Sequence, residues 1–528
     1  MPFLLRNLPL LPDEDEELLL NRTASATGLR KEQIKRFRIV RKSVDSRRKP
    51  RIFFVCTVLF FLDDETILDP SAASIPNLEK VQEEIPTVFS KAKHPGLIVI
   101  AGMGPAGLFC ALRLAAYGVP SVLLERGRPV EERIRDVSRF WANGILSPES
   151  NVQFGEGGAG TFSDGKLTCR LRDPNTGWVL EQLISFGAPP EIRFQAKPHV
   201  GTDRLRGVVA AMRQVLLERG CRIHFNTCLT ALGISRGKIM SAICRNGHEF
   251  DCQHLVIATG HSARDTYKML CSHRLCMEPK PFAIGLRVEH QQELIDRIQY
   301  GRPSPSLPKA DYALTYNNTA TGRSCYSFCM CPGGVVIGSS SEPEMLVVNG
   351  MSNQRRDSGL ANSALVVNVR PEDFGATDPL AGIRFQQQWE RTAFIAGGGD
   401  YQAPSQNLLA FLGQGSGPCI SSFMPGCREA DLSALLPEYV SETLREGIAT
   451  FGRKMRGFVT ADATLTGVET RTSAPLRILR GEDLHSPGVQ GLYPCGEGAG
   501  YAGGIMSAAL DGVKVADRIV SSSTEMKS

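Results

Sequence analysis

The sequence predicts an α/β protein built around a parallel sheet whose strands end at glycine turns. Five apolar residues, 97–101, run into the turn GMGPAG at residues 102–107. A second buried strand, LVIA at residues 255–258, ends in Thr259-Gly260, and a third, near the end of the chain, ends at Gly496. Ligands bind to open α/β sheets at the carboxyl ends of the strands, so the turn at residues 102–107 is a candidate binding site.

The turn at residues 102–107 carries a dinucleotide fingerprint in its full strand–turn–helix–strand context. Gly102 allows the tight turn, Gly104 lets the backbone approach a pyrophosphate, and Gly107 permits close packing of helix on strand. The phosphates are expected at the positive end of the following helix. A carboxylate suited to the adenosine ribose follows at Glu125, eighteen residues past Gly107. The predicted cofactor-binding residues here are Gly102, Gly104, Pro105, Ala106, Gly107, Glu125 and Arg126.

A turn that binds no nucleotide is the alternative for this unit, and the complete context of the motif favours the dinucleotide. A second glycine cluster, FGEGGAGTFSDGKL at residues 154–167, cannot form the interior of a regular helix or strand without a large entropic cost. We interpret it as a loop against a flat or phosphate-bearing ligand rather than as a flexible surface loop. Its predicted cofactor-binding residues, with those of the ATG turn, are Gly158, Gly160, Thr161, Gly165, Lys166, Thr259 and Gly260.

Composition describes an ordinary globular protein without a strongly charged partner. The chain has 528 residues, 60 basic and 55 acidic side chains and a net charge of +5. Fifteen scattered cysteines contain no C-x-x-C pair, which favours reduced thiols in a cytoplasmic protein and no metal site. We see no secretory signal, and the apolar run at residues 52–62 is too short to span a bilayer and is expected to be a buried strand.

Residues 1–92 are predicted to form a small separate α+β domain. Strands are expected over residues 3–10, 37–44 and 52–62, with a helix over 13–27 and a linker over 70–86. Eleven basic residues lie between Arg30 and Arg51. They could bind RNA or another anionic partner, but we favour a solvated or docked face because no aromatic stacking platform is interleaved. These basic residues are Arg30, Lys31, Lys35, Arg36, Arg38, Arg41, Lys42, Arg47, Arg48, Lys49 and Arg51.

Several motifs together resemble a known family of flavoproteins. GMGPAG, LVIATG and YPCGEGAGYAGGIMSAALDG resemble the two-dinucleotide-binding flavoprotein superfamily. RKSVDSRR, FGEGGAGTFSDGKL, PFAIGLRVEH, CMCPGG, VVNGMS and ETRTSAPLRILR are similar to its uncharacterised FAD-dependent, or NAD(FAD)-utilising, dehydrogenase family. The resemblance covers most of the chain and implies FAD as cofactor and a ferredoxin-like N-terminal domain, but no particular substrate.

The resemblance also implies that the segment after residue 492 returns to the first sheet and reaches the flavin end of the cofactor. The amide donors and dipole of the last helix would stabilise negative charge on the reduced flavin, and the acidic residue would contact the ribityl or phosphate region. Many relatives have Asp where this chain has Glu497. The predicted cofactor-binding residues of this segment are Gly496, Glu497, Gly503, Gly504 and Ile505.

The predicted architecture is a discontinuous Rossmann-like FAD-binding domain, residues 93–278 and 456–528, with an inserted β-rich α+β substrate domain, residues 279–455. In the insertion, Cys329 and Cys331 could be redox partners of a flavin or metal ligands, but no further Cys or His completes a zinc set. We favour a strand of semi-apolar thiols that enters a Pro-Gly-Gly turn. The role of the pair stays open at this stage.

Two residues are weaker candidates for substrate contact. Arg471 could hold an anionic substrate with both guanidinium nitrogens, or pair with Glu469 or another acid. His261 could transfer a proton, but a catalytic role needs geometry that a sequence does not contain. Catalytic residues therefore remain unassigned.

We expect an FAD-dependent oxidoreductase that acts on a small molecule. NAD(P)H would act as a transient electron donor without a domain of its own, because the glycine clusters at residues 397–399 and 413–417 lack the context of a second dinucleotide unit. The alternatives are an RNA-associated or RNA-modifying flavoprotein and a flavin-bound scaffold without turnover. Substrate, direction of reaction, electron partner and oligomeric state stay open.

Overall fold

The computed structural model describes most of the chain. The described residues are 1–49, 51–63, 75–82, 89–92, 95–169, 171–301, 305–375 and 377–525. The linker predicted over residues 70–86 lies outside them except for residues 75–82, which contain a short strand. No helix in these ranges is long and apolar enough to cross a membrane.

The N-terminal unit is a four-stranded antiparallel sheet with one helix. Its elements are β1 (Pro2–Leu10), α1 (Leu18–Thr27), β2 (Ile34–Arg48), β3 (Arg51–Leu62) and β4 (Leu78–Lys80). The order β2-β3-β1-β4 places β3 between the two strands that α1 connects, which is a split βαβ arrangement. Cys56, Val58 and Phe60 of β3 are fully buried on one face, as the two-residue period of a strand requires. The ferredoxin-like description itself stays a prediction.

Helix α1 begins later than the sequence predicts, at Leu18 rather than near residue 13. Glu14 accepts a hydrogen bond from the backbone of Leu11, and Asp15 accepts one from the backbone of Glu17. These acidic side chains satisfy local amides in turns, and such turns compete with helix formation. The acidic segment is therefore a turn that precedes the helix.

The region from residue 95 to 281 contains strands and helices of the parallel sheet and a separate three-stranded antiparallel sheet. It comprises β5 (Ile98–Ala101), α2 (Pro105–Ala116), β6 (Val122–Leu124), α3 (Val130–Asn143), α4 (Thr176–Ser185), α5 (Thr202–Glu218), β7 (Arg222–His224), β8 (Leu229–Ser235), β9 (Lys238–Cys244), β10 (Glu249–Asp251), β11 (His254–Ile257), α6 (Arg264–Ser272) and β12 (Met277–Pro279). The antiparallel sheet has the strand order β10-β9-β8. A four-residue 3-10 helix, Ala159–Phe162, interrupts the second glycine cluster.

The remaining elements are mostly strands at first and helical at the end. They are β13 (Phe282–Gln291), α7 (Gln292–Tyr300), β14 (Thr315–Asn318), β15 (Arg323–Pro332), β16 (Gly334–Gly338), β17 (Val348–Ser352), β18 (Leu360–Val369), α8 (Ala381–Ala396), β19 (Ala403–Asn407), α9 (Leu408–Phe411), β20 (Cys427–Glu429), α10 (Glu438–Lys454), β21 (Thr464–Glu469), β22 (Leu476–Ile478), β23 (Leu492–Pro494) and α11 (Ile505–Glu525).

Five parallel strands form the sheet that the glycine turns predict, in the order β23-β11-β5-β6-β7. The three strands predicted to end at glycine turns are adjacent, so their carboxyl ends lie side by side. Helices α2 and α11 pack together on one face of the sheet. They approach so closely that a Cβ added to Gly512 would lie 2.1 Å from the Ala106 carbonyl oxygen, where it would clash. The last strand and helix thus complete a sheet begun nearly four hundred residues earlier.

A seven-stranded sheet forms the second large layer, in the order β14-β15-β18-β13-β21-β19-β20. Strand β21 lies inside this sheet, antiparallel to both β13 and β19. The boundary predicted at residues 455/456 therefore divides one sheet, and the seven-stranded layer extends to residue 469. Sequence reasoning missed this because the pairing of β21 with β13 joins residues far apart along the chain.

The N-terminal unit is less separate than the sequence predicts. Its apolar core is continuous with that of the seven-stranded sheet. The backbone of Lys42 in β2 donates to Phe194 at 2.8 Å and accepts from Ala196 at 2.9 Å. These contacts anchor β2 to the region that carries the parallel sheet.

Candidate functional site

A cavity of about 360 Å³ lies where the carboxyl ends of β5, β6 and β11 face the seven-stranded sheet. It is lined by most of the predicted cofactor-binding residues and by both substrate candidates. These are Gly102, Gly104, Pro105, Ala106, Glu125, Arg126, Gly158, Gly160, Gly165, Lys166, Thr259, Gly260, Glu497, Gly503, Gly504, Ile505, His261 and Arg471. Three predicted residues, Gly107, Thr161 and Gly496, lie next to the cavity without lining it.

The first glycine turn is packed so tightly that larger residues do not fit. Gly102 has φ of 105°, and a Cβ there would lie 2.3 Å from the Ala258 carbonyl oxygen. A Cβ on Gly107 would lie 2.0 Å from the Gly102 carbonyl oxygen. Gly107 therefore has the packing role that the fingerprint assigns to its position. Pro105 begins α2, so the amides of the first helical turn face the cavity end of the helix.

Glu125 is buried at the end of β6 and is held by backbone amides. Its carboxylate accepts hydrogen bonds from Met103 at 3.0 Å, Gly127 at 2.8 Å and Gly155 at 3.0 Å. An ionised carboxylate has about four acceptor positions, so a further hydroxyl can still be accepted. The Glu125 side chain therefore links the first glycine turn, through Met103, to the second glycine cluster, through Gly155. It also lines the cavity.

Arg126 is committed to ion pairs at the rim of the cavity. Its guanidinium donates to Asp265 at 2.7 and 2.9 Å and to Glu149 at 2.8 and 3.3 Å, and it lies 4.2 Å from the centre of the Phe154 ring. Burial opposes its charge, but the hydrogen bonds to Asp265 and Glu149 outweigh that effect and raise the pKa of Arg126. Its main contacts fix the loop that follows β6.

The second glycine cluster crosses the first turn. A Cβ on Gly158 would lie 2.9 Å from the Cα of Gly104, and one on Gly160 would lie 3.1 Å from Ile505. Thr161 is buried and donates to the Glu156 carbonyl oxygen at 3.3 Å, so it braces the loop from behind. This loop thereby connects the first turn with the N-terminus of α11.

Lys166 and Asp164 form a charged group at the end of the same loop. The Lys166 Nζ lies 3.9 Å from the buried Asp164 carboxylate, which also accepts from Arg356 at 2.8 Å and from the Ser352 hydroxyl. Burial opposes the charge of Lys166, but the thiols of Cys331 and Cys329, together with Asp164, raise its pKa. Lys166 thus presents a permanent positive charge to the cavity.

The turn after β23 supplies open backbone and one carboxyl group. Nothing lies within 4 Å of the position that a Cβ on Gly503 or Gly504 would take, so the backbone itself forms this wall. Gly496 packs behind it, where an added Cβ would lie 2.7 Å from the Ala106 Cβ, and its amide donates to Asp511 at 2.7 Å. Burial raises the pKa of Glu497 to about 7, although Lys280 acts in the opposite direction.

Arg471 belongs to a buried ion network, and its guanidinium is already occupied. It donates to Glu390 at 2.8 and 3.0 Å, to Ser341 at 2.6 Å and to Ser262 at 3.1 Å. Glu390 also binds Arg264 at 2.7 and 2.9 Å. Of the two alternatives for Arg471, the observed contacts are those of an ion pair with an acid. Glu469, the other acid considered, pairs with Arg287 at 2.6 and 2.9 Å.

His261 lines the cavity and its Nδ1 lies 3.0 Å from the Ser262 hydroxyl. Burial, with the charges of Arg471 and Arg264, lowers the pKa of His261 to about 4. The ring is therefore neutral at physiological pH and can accept or donate one hydrogen bond according to its tautomer.

Further cavity residues that sequence reasoning did not assign come from β15 and β21 of the seven-stranded sheet, from β17 of the two-stranded sheet β16-β17 and from the segment after β21. They are Phe328, Cys329, Asn349, Glu469 and Thr472. Asn349 and Thr472 lie in the motifs VVNGMS and ETRTSAP, whose polar groups offered a signal without a position. The sequence alone does not show that these strands face the glycine turns.

The basic segment between Arg30 and Arg51 forms β2 and its turn, and several of its cations have partners within the protein. Lys42 pairs with Glu16 at 2.6 Å, Arg47 with Asp45 at 2.6 Å, and Lys49 donates to the Ile298 carbonyl oxygen at 2.5 Å. These contacts agree with a docked face and give no support to a nucleic acid partner.

Comparisons with known proteins identify the central and N-terminal regions. Residues 281–472 match the model of the FAD-dependent protein, C-terminal domain-like family, and residues 4–61 match a domain of unknown function, DUF8436. An uncharacterised protein of Clostridium beijerinckii is 45% identical over 533 residues, which cover 98% of this chain and 99% of that protein.

Two solved flavoproteins are similar at low identity. The flavin-dependent brominase Bmp2 is 12% identical over 82% of this chain and 80% of that chain, with a TM-score of 0.36. CmlS, a flavin-dependent halogenase, is 12% identical over 82% of this chain and 59% of that chain, with a TM-score of 0.38. Bromination and halogenation are properties of those proteins.

The cavity fits FAD on its own geometry. Backbone at Gly260, Gly503 and Gly504 leaves open space where side chains would stand, which suits a flat ring system. The α2 N-terminus supplies amides for a pyrophosphate, and Glu125 retains an acceptor position for a ribose. The protein is an FAD-dependent flavoprotein with FAD as its cofactor. It belongs to the same family as the Clostridium beijerinckii protein.

Proposed function

We propose that this protein is an FAD-dependent oxidoreductase of the dehydrogenase type that acts on a small molecule. One observation carries the proposal: the dinucleotide turn and polar groups from β15, β17 and the segment after β21 line the same cavity. A cofactor held at the turn would therefore have its reacting end beside Cys329, Asn349 and Thr472. A scaffold that only stores flavin has no need of such polar groups.

The residues that would hold FAD divide into three sets by cofactor part. Glu125 and the turn at residues 102–107 would hold the adenosine and pyrophosphate. The loop at residues 158–166 would lie along the middle of the cofactor. The turn at residues 496–505 would face the flavin ring, where amides at the α11 N-terminus stabilise negative charge. FAD supplies the transfer of a hydride or of an electron pair.

The chain's own titratable groups would handle protons at the cavity wall. Glu497, whose pKa is near 7, can hold a proton at its carboxyl group or release it within the physiological range. Neutral His261 would orient a substrate by one hydrogen bond rather than by charge. Lys166 would attract a substrate or flavin atom that carries negative charge.

NAD(P)H would reach the flavin as a transient electron donor. The glycine cluster at residues 397–399 follows the end of α8, and the cluster at 413–417 follows the short helix α9. Neither joins a parallel strand to a helix as the fingerprint requires. A dinucleotide that supplies electrons would therefore share the FAD cavity.

The test is anaerobic rapid mixing of the FAD-loaded protein with NADH or NADPH, followed by reoxidation with a panel of small metabolites. We expect reduction of the bound flavin by one nicotinamide and acceleration of reoxidation by at least one metabolite. Bound flavin that neither nicotinamide nor any metabolite reduces or reoxidises would contradict the proposal and favour a scaffold. A heat-denatured sample with the same free FAD is the control.

A further inference from the structure

Cys329 and Cys331 lie at an irregularity in β15, at the wall of the FAD cavity. The register between β15 and β18 shifts between Phe328 and Cys331. Over this interval β15 has one residue more than β18, as in a β-bulge. Cys329 has φ of 45°, a left-handed conformation that side chains seldom adopt. Strained backbone of this kind is frequent at functional sites.

The two thiols differ in their access to the cavity. Cys329 is half-buried and lines the cavity, whereas Cys331 is fully buried behind it. The Cys331 thiol donates to the Cys329 carbonyl oxygen at 3.3 Å, and Arg287 Nη1 donates to the same oxygen at 3.3 Å. An accessible sulfur with a second sulfur directly behind it is the arrangement of an attacking and a resolving thiol.

Charges around the pair favour a thiolate at the accessible position. A hydrogen bond from Cys331 lowers the pKa of Cys329, and the charges of Lys166 and Arg287 act in the same direction against burial and Glu469. The same hydrogen bond, with burial, raises the pKa of Cys331. A cysteine beside a lysine and an arginine is the environment of a reactive thiolate.

Cys329 lines the same cavity as the last glycine turn. Burial is the main cause that raises the pKa of Glu497, and the negative charge of Cys329 adds to it, so the two groups interact across the cavity. Gly503, Gly504 and Ile505 line the same space. The thiol pair and the proposed flavin end of the site are therefore neighbours.

We propose that Cys329 and Cys331 form a redox-active dithiol that exchanges two electrons with FAD bound in the cavity. This inference rests on the proposed function and names a thiol–disulfide couple as the internal redox partner of that site. Cys331 would be shielded from solvent by the strand, while Cys329 would meet the flavin or an incoming substrate.

The exchange balances without a further reactant. The Cys329 thiolate and the Cys331 thiol lose two electrons and one proton and form one S–S bond. FAD accepts both electrons and that proton and becomes its singly protonated, anionic reduced form. In the opposite direction the S–S bond breaks, the proton returns to Cys331, and Cys329 leaves as the thiolate.

Electron counting on the FAD-loaded protein tests the pair. The protein is oxidised with diamide, freed of reagent and titrated with dithionite under nitrogen while the flavin absorbance is recorded. We expect the wild type to take up about four electrons per FAD, because each two-electron couple adds its own equivalents. The variants Cys329→Ser and Cys331→Ser are expected to take up about two. The control Cys325→Ala, on the same strand and fully buried, should match the wild type.

Alkylation gives a second readout that needs no variant. Wild-type protein is oxidised as above, blocked with iodoacetamide under denaturing conditions and cleaved after Phe328 with chymotrypsin, which separates Cys325 from the pair. The peptide with Cys329 and Cys331 should escape alkylation and have the mass of the disulfide. The exposed Cys276 should be alkylated in the same sample.

The outcomes separate the two proposals. FAD-loaded protein that takes up about two electrons, and whose oxidised pair is alkylated at both cysteines, overturns the dithiol and leaves the oxidoreductase proposal standing. Wild-type protein that binds no FAD overturns both. Uptake of about four electrons by both serine variants would assign the extra couple to other cysteines and also overturn the dithiol.

Discussion

Gly102 is subject to two constraints at once at the end of β5. Its φ of 105° is open to glycine and seldom to other residues, and the Ala258 carbonyl oxygen would lie 2.3 Å from an added Cβ. The close approach to Ala258 packs the first turn against the end of β11, the neighbouring strand of the sheet. The residue therefore matters to the fold as well as to the cofactor.

Gly102→Ala is expected to destabilise the protein and to abolish FAD retention. The forced backbone conformation alone costs about 1–3 kcal/mol. Thermal unfolding and the flavin-to-protein absorbance ratio measure the two effects. The matched control is Gly177→Ala on the exposed face of α4, where nothing lies within 4 Å and alanine should stabilise by about 0.5–1 kcal/mol. Equal flavin content in both variants would contradict the role of Gly102.

The raised pKa of Glu497 predicts that the stability of the folded protein falls as the pH rises. Its pKa in the folded protein is about 7, above the 4.5 of an ordinary glutamate, so the folded state holds the proton more tightly. The stability that this proton contributes is complete below pH 4.5 and is lost as the pH rises through 7. Each pKa unit corresponds to about 1.4 kcal/mol.

Glu497→Gln should remove that dependence. In the apoprotein, the loss of unfolding free energy between pH 5 and pH 8 should be smaller for the variant than for the wild type, because an amide does not titrate. Urea unfolding across this range is the measurement. Parallel curves for the two proteins would show that the carboxyl group titrates as it does in water.

At the scale of elements, the network around Glu390 ties α8 to α6 and to the end of β21. Arg264 begins α6, and Arg471 follows β21 by two residues. Burial opposes the charge of Glu390, but the two arginines outweigh it and lower its pKa to about 2. The carboxylate is therefore ionised at physiological pH and is shared by two buried cations, one of which also pairs with Glu342.

Glu390→Gln should destabilise the protein by about 3–5 kcal/mol, since it leaves the buried Arg471 without a counter-charge and Arg264 with Glu342 alone. Glu344→Gln is the matched control, because Glu344 is exposed and its pair with Arg391 is expected to contribute at most about 1 kcal/mol. Denaturant unfolding of both variants checks the difference. Similar losses for the two would mean that the network is no more important than a surface pair.

Sequence reasoning at this scale succeeded where local rules decide the structure. The strand–turn–helix around residues 98–116 follows from the apolar run and the glycine positions, and it is confirmed. The bulge at Cys329 could not be predicted in this way. It depends on the partner strand β18, whose register is set by side chains some thirty residues further along.

At the scale of the whole molecule, the cofactor cavity collects residues from distant parts of the chain. Gly104, Lys166, Gly260, Cys329 and Glu497 all line it. A ligand bound there would hold both large sheets together, so its binding free energy is expected to appear as stability of the entire protein.

FAD should therefore stabilise the protein more than FMN does, because FMN lacks the adenosine that Glu125 and the first turn would hold. At a concentration of FAD one hundred times its dissociation constant, the gain is about 2.7 kcal/mol. Differential scanning calorimetry with FAD, FMN or neither is the measurement. Equal stabilisation by FMN would show that the predicted adenosine site contributes no binding free energy.

The sequence by itself determined the parallel sheet and the dinucleotide turn. Those features rest on local requirements: glycine where the backbone turns sharply, and apolar runs where strands are buried. The tertiary structure alone decided that β21 joins the seven-stranded sheet, that Arg471 is held by Glu390, and that Cys329 lines one cavity with Lys166 and Glu497. These depend on pairings between residues far apart in the chain, for which one sequence contains no local signal.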